Sequence, residues 1–149
     1  MGIYVLTEEQ INANKEEFIS LIRSIQRDGA DIEGLLKELE NSDFYYAPAS
    51  TKYHGAYVGG LVDHSLNVFY NMMPFVKYKK HLPENCYDEN SIKIIALLHD
   101  LSKMNQYERT FQNNVSRRGT SGGSWGIWGI GGQGIFTGYL NVPFAFCVT

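Results

Sequence analysis

SIKIIALLHDLSK, residues 91–103, sets six aliphatic side chains, Ile92, Ile94, Ile95, Ala96, Leu97 and Leu98, in a run without glycine or proline. A run of this composition is a buried segment, and its length and flanks favour helix over strand. At its end stand His99 and Asp100. Burying an imidazole beside a carboxylate is costly unless both are paired or bound, because an ion in apolar surroundings loses its hydration with nothing to replace it. A metal ion would satisfy both groups, and so would a simple hydrogen bond between the two near a helix end. On this stretch alone both readings stay open. Helical spacing places His99 on one face with Ile92, Ile95 and Lys103, and Asp100 on one face with Ala96, Leu97 and Lys103. Lys103 then lies one turn beyond both, where its ammonium can meet a phosphate held at a metal.

Composition bounds what surrounds this stretch. The 149 residues are 44% hydrophobic, which suits one domain with a real core. A formal net charge of −3 supplies no overall basic field, so indiscriminate nucleic-acid binding through counterion release is excluded and any such contact is local. Cys86 and Cys147 lie far apart without a CxxC or other metal-ligand spacing, which indicates neither a disulfide framework nor a zinc site and suits a reducing cytoplasm. The start, MGIYVLTEEQ, turns polar and acidic at once, unlike a signal peptide, and Leu6 stands where a myristoylation signal needs Ser or Thr. No run approaches about 18 apolar residues. The expectation is a cytoplasmic protein without membrane contact.

Upstream, Thr7 followed by Glu8, Glu9 and Gln10 has the form of a capping box. The spacing predicts a helix over about 8–27, with Ile11, Phe18, Ile19, Ile22 and Ile25 inward, Lys15, Glu16, Arg23 and Gln26 outward, and Gly29 at its end. Asp31 can cap a shorter helix that buries Ile32, Leu35, Leu36 and Leu39. Residues 41–60, NSDFYYAPASTKYHGAYVGG, read as an ordered loop of the kind that often carries function, with His54 inside it. Gly60 opens LVDHSLNVFYNMMPFV, a helix expected to stop at or just before Pro74. Its residues Leu61, His64, Val68 and Met72 share a face, so His64 points inward. Residues 76–90 read as a polar linking loop with His81 solvated, and Asn90 or Ser91 as the cap of the next helix. Two inward histidines and a carboxylate are harder to explain as incidental core than one.

With these residues in view, the order HG…GGLVDHSLNV…IIALLHDLSK resembles the HD superfamily of metal-dependent phosphohydrolases. YHGAYVGGLVDHSLNV is similar to the branch containing bacterial YhaM-type 3′–5′ exoribonucleases and related phage and bacterial HD proteins, and the resemblance covers roughly residues 41–111. It implies an all-α HD-domain helical bundle in which His64, His99 and Asp100 hold a divalent metal, Mn²⁺, Mg²⁺, Fe²⁺ or Ni²⁺. It also implies that His54 is the loop histidine near the substrate and Lys103 the phosphate-facing lysine. Asp100, Lys103 and His54 are thus the expected catalytic residues, and His54, Lys103 and Tyr53 the expected substrate contacts. Imidazole and carboxylate ligands with open positions suit an ion that polarises a phosphoryl oxygen and lowers the pKa of bound water. Lys103, and His54 if protonated, would stabilise charge on the equatorial oxygens or the leaving group.

The chain departs from that pattern in two places. HD hydrolases complete the site with a second aspartate from a later helix, whereas no Asp follows Asp100 here and the last acidic residue is Glu108. From Arg117 onward the sequence holds nine of the fifteen glycines, has no Lys, Asp or Glu, and shows no helical period. The expectation is a helical domain over 1–111 and an irregular Gly-rich tail over 112–149, disordered or at most a weak strand pair. Of two readings of that tail, a shifted frame or truncated gene and a genuine glycine-rich hairpin, composition favours the first. Apolar surface left uncovered predicts association into a homo-oligomer. Two functions follow. One is a phosphohydrolase acting on a nucleotide or a single-stranded nucleic-acid end, impaired by the missing aspartate. The other is a non-catalytic module that binds such ligands, with Tyr45, Tyr46, Tyr53 and Tyr57 as a stacking surface. A non-functional remnant is the third and blandest reading.

Overall fold

A computed structural model describes residues 5–78, 88–110 and 124–127. The fold is all-α: α1 (Glu8–Arg23), α2 (Ile32–Glu40), α3 (Gly60–Tyr78) and α4 (Glu89–Leu98), followed by a 3-10 turn at Leu101–Lys103. The start of α1 is a reciprocal cap, in which the N–H of Gln10 donates to the Thr7 hydroxyl and the N–H of Thr7 donates to Gln10 Oε1. α1 ends at Arg23, short of the expected residue 27. The Ser24 hydroxyl donates to the Leu21 carbonyl at 2.6 Å and its N–H to Ser20 and Leu21, which closes the last turn early. Ile25 still reaches the core. Asp31 caps α2 by accepting from the N–H of Gly34.

Each helix contributes to one core: Phe18 and Ile22, Leu35 and Leu39, Leu61, Val62 and Phe69, then Ile92, Ala96 and Leu97. The most extensive packing is between α3 and α4. Phe44 and Tyr45, from the loop after α2, lie against Phe18 at ring separations of 5.0 and 6.2 Å. Tyr45 is only 2% exposed, so its expected place in a stacking surface is corrected. Lys15, expected to face away, is half-buried over the Tyr45 ring at 4.7 Å with Nζ 2.8 Å from Glu40 Oε1. Its apolar stem covers the ring while its charge reaches the rim.

Two helix boundaries differ from expectation for local reasons. α3 continues through Pro74 to Tyr78. Pro74 and Tyr70 are both exposed, so the carbonyl that loses its helical partner sits on the solvated side. α4 is capped by Asp88 rather than Asn90 or Ser91, because the carboxylate accepts from both the N–H and the hydroxyl of Ser91, at 2.9 and 2.6 Å.

The 41–59 loop is bonded onto the first turn of α3. Gly59 N–H donates to the Tyr46 carbonyl and Leu61 N–H to the Ala47 carbonyl, at 3.0 and 2.9 Å, so loop backbone caps the helix. The approach is close enough that a Cβ on Gly60 would lie 2.0 Å from the Gly55 carbonyl oxygen. Beyond the 3-10 turn, β1 (Tyr107–Thr110) and β2 (Ser124–Ile127) pair antiparallel with Tyr107 opposite Ile127. This pairing joins residues on either side of the boundary expected at 111. His81 of the expected linking loop, and the tail apart from residues 124–127, lie outside the described residues. Among those described, no helix is long and apolar enough to cross a membrane.

Candidate metal centre

The run expected as one helix turns at its histidine. α4 stops at Leu98; His99 keeps helical angles as the C-cap, and Asp100 departs to φ −105° and ψ 18° before the 3-10 turn. His99 Nδ1 lies 2.8 Å from the Ala96 carbonyl, the acceptor that a continuing helix would give to the N–H of Asp100. A carbonyl only accepts, so Nδ1 carries the proton and Nε2 keeps its lone pair for the site. Leu101 turns back into the core.

This turn brings three Lewis bases together. His99 Nε2 lies 3.3 Å from His64 Nε2 and 3.3 Å from Asp100 Oδ2, and His64 Nε2 lies 3.5 Å from the same oxygen. Such atoms repel unless a proton or cation stands among them. Separations of 3.3–3.5 Å would let one divalent cation, at a typical bond length of about 2.1 Å, reach all three atoms. His64, His99 and Asp100 are therefore a cluster that can hold a metal ion. All three are partly buried.

Electrostatics distinguish the three groups. Desolvation lowers the His64 pKa below the usual imidazole value and outweighs the attraction of Asp100. The hydrogen bond to Asp100 raises that of His99, against its burial. Burial pushes the Asp100 carboxyl up, but hydrogen bonds from His99 and Lys103 together hold it well below the carboxylate range. Lys103 Nζ is 2.9 Å from Asp100 Oδ2. It does not extend one helical turn beyond the pair, because the 3-10 turn folds it back onto the carboxylate.

His54 is exposed, yet its ring lies 5.1 Å from that of His64, which in turn is 5.2 Å from that of His99. The three imidazoles form a row that ends at solvent. Tyr53, beside His54 in the chain, is 76% exposed and makes no part of the cluster. Two supports escaped sequence reasoning. Asp63 accepts from the Tyr57 hydroxyl at 2.6 Å and from Asn14 Nδ2 at 3.3 Å. Asp43 and Asn105 bond reciprocally, N–H of each to the side-chain oxygen of the other, at 3.2 and 2.6 Å. Asn105 has φ 58°, a backbone that Asn tolerates better than most residues, so the residue type was the available signal. Comparison with models of known families, with characterised proteins and with solved structures gives no match.

Proposed function

We propose that this chain is a metal-dependent phosphohydrolase of the HD type, acting on a phosphoester of a nucleotide or nucleic-acid end. The metal is Mn²⁺, Mg²⁺, Fe²⁺ or Ni²⁺, held by His64, His99 and Asp100. The observation that carries this reading is the triangle of donor atoms with sides of 3.3, 3.3 and 3.5 Å. When bound, such an ion supplies Lewis acidity toward a phosphoryl oxygen and a lowered pKa for coordinated water. The chain's own residues do the rest. Asp100 and the two imidazoles fix the position of the charge, and the His99 Nδ1 bond to Ala96 fixes its tautomer. Lys103 adds a positive charge at the same oxygen, available to anionic phosphoryl oxygens. His54, at the solvent end of the row, meets an entering phosphoester first and can pass a proton to or from it.

A titration with Mn²⁺ followed by hydrolysis of bis(p-nitrophenyl) phosphate tests this. The expected result is one bound ion per chain and metal-dependent turnover, both lost in Asp100→Ala. The binding-module reading keeps the same three donor atoms but assigns them to ligand binding alone. Binding of Mn²⁺ and of a nucleotide without turnover would select that reading. Absence of metal binding would end both.

A further inference from the structure

His54 belongs to a loop rather than to a helix, so something must hold its ring over His64. We infer that Tyr57 and Asp63 are positioning residues that clasp the His54 loop onto α3. This inference rests on the proposed reading only for its consequence, the binding of phosphate beside the metal.

The loop closes on itself first. Ala49 N–H donates to the Gly55 carbonyl and the Ser50 hydroxyl to the His54 carbonyl, both at 2.8 Å, so the residues 49–55 form a narrow-necked bulge with His54 at the neck. That neck then rests on α3. Gly55 has φ 71°, a Cβ there would lie 2.5 Å from Ala49 Cβ, and the Gly55 carbonyl meets Gly60 without room for a side chain. Backbone approach of this kind sets how near the loop sits but leaves its tilt over the helix to be fixed by another bond. Tyr57 supplies one: it lies three residues after His54 and its hydroxyl donates to Asp63 Oδ2. Asp63 is the residue immediately before His64, and its other oxygen accepts from Asn14 on α1. One carboxylate thus links the bundle, the metal-bearing helix and the loop. Its charge strengthens the bond, since a hydrogen bond to an ionised acceptor is about twice as strong as a neutral one.

Tyr57→Phe removes the hydroxyl and keeps the ring, while Asp63→Asn keeps one acceptor for it. Of the four imidazole Cε1–H signals of the full chain, the experiment reads by NMR those of His54, His64 and His99, assigned apart from His81, together with Mn²⁺ affinity and inorganic phosphate affinity of the Mn²⁺-loaded protein. In Tyr57→Phe the His54 signal is expected to lose the shift caused by the His64 ring, while those of His64 and His99 hold. Mn²⁺ affinity stays within about twofold, phosphate affinity falls roughly tenfold, and adding Tyr57→Phe to His54→Ala weakens phosphate no further. Asp63→Asn is expected to retain part of the His54 shift. An unmoved His54 signal in Tyr57→Phe would overturn the inference, and so would equal movement of all three signals, which reports general loosening. If the Mn²⁺-loaded protein binds no phosphate, the phosphohydrolase reading falls, while the NMR comparison still decides the clasp.

Discussion

Asp100 Oδ2 is approached by Lys103 Nζ at 2.9 Å and by the two imidazole nitrogens at 3.3 and 3.5 Å. That crowd of positive or proton-bearing groups keeps the carboxylate ionised far below neutrality, so protons compete for the site through the histidines. His99, raised above the usual value of about 6.5 by its bond to Asp100, holds the competing proton more firmly than His64, whose value burial lowers. Where His99 is protonated on both nitrogens, a metal binding there would have to displace the Nε2 proton. Apparent Mn²⁺ affinity is therefore expected to rise with pH through neutrality and to level off above the raised His99 pKa, as followed by calorimetry in several buffers. A flat profile from pH 5 to 8 would remove His99 from the ligand set. Asp100→Asn keeps the shape and removes the charge. It should weaken Mn²⁺ by more than the roughly 10–100-fold typical of residues outside the ligand shell. The inward direction of His64 and His99 was legible, since 3.6-residue periodicity fixes which face a side chain takes. The fold-back of Lys103 was not, because it follows from a 3-10 turn that apolar spacing does not mark.

At the level of the helices, the apolar stripes and the caps of α1 and α2 were readable, whereas the Asp88 cap of α4 and the interruptions were not. Thr7, Gln10 and Asp31 act where local chemistry requires them, within three residues of their partners. Pro74 is tolerated inside α3 on a side where it and Tyr70, whose carbonyl loses its helical donor, are both exposed, and Tyr45 is buried against Phe18 and Phe44. Both depend on tertiary surroundings that a local window does not contain. The same surroundings set two opposed expectations for stability. Leu97→Ala empties a fully buried site on α4 and should cost about 2–5 kcal/mol in urea unfolding. Ser65 on α3 is 1% exposed and its hydroxyl has no partner among the described residues. Ser65→Ala should then be neutral or stabilising by about 1 kcal/mol, and a clear loss of stability would show that the hydroxyl is satisfied.

For the molecule as a whole, α3 and α4 pack most extensively among the described helices, and the cluster that can hold a metal ion joins His64 on α3 to His99 and Asp100 in the turn leaving α4, so an ion there would tie these two elements together. Binding only to the folded state, Mn²⁺ at about 100 times its Kd should add about 2.7 kcal/mol. For a chain of this size that is a rise of about 5–10 °C in Tm, absent in Asp100→Ala. An equal rise in the variant would place the ion elsewhere. Gly60→Ala should act in the other direction, because the added Cβ meets backbone rather than a side chain that can yield, and a loss of about 1–3 kcal/mol is expected. The reciprocal bond between Asp43 and Asn105 spans 62 residues and brings the exit of the 3-10 turn back to the start of the His54 loop. During synthesis, a growing chain carries His54 and His64 long before it carries His99, Asp100 and the asparagine that closes this circuit. Any capture of a metal by this cluster must therefore wait until the helical bundle has been made in full, and an ion bound there would report that assembly has finished.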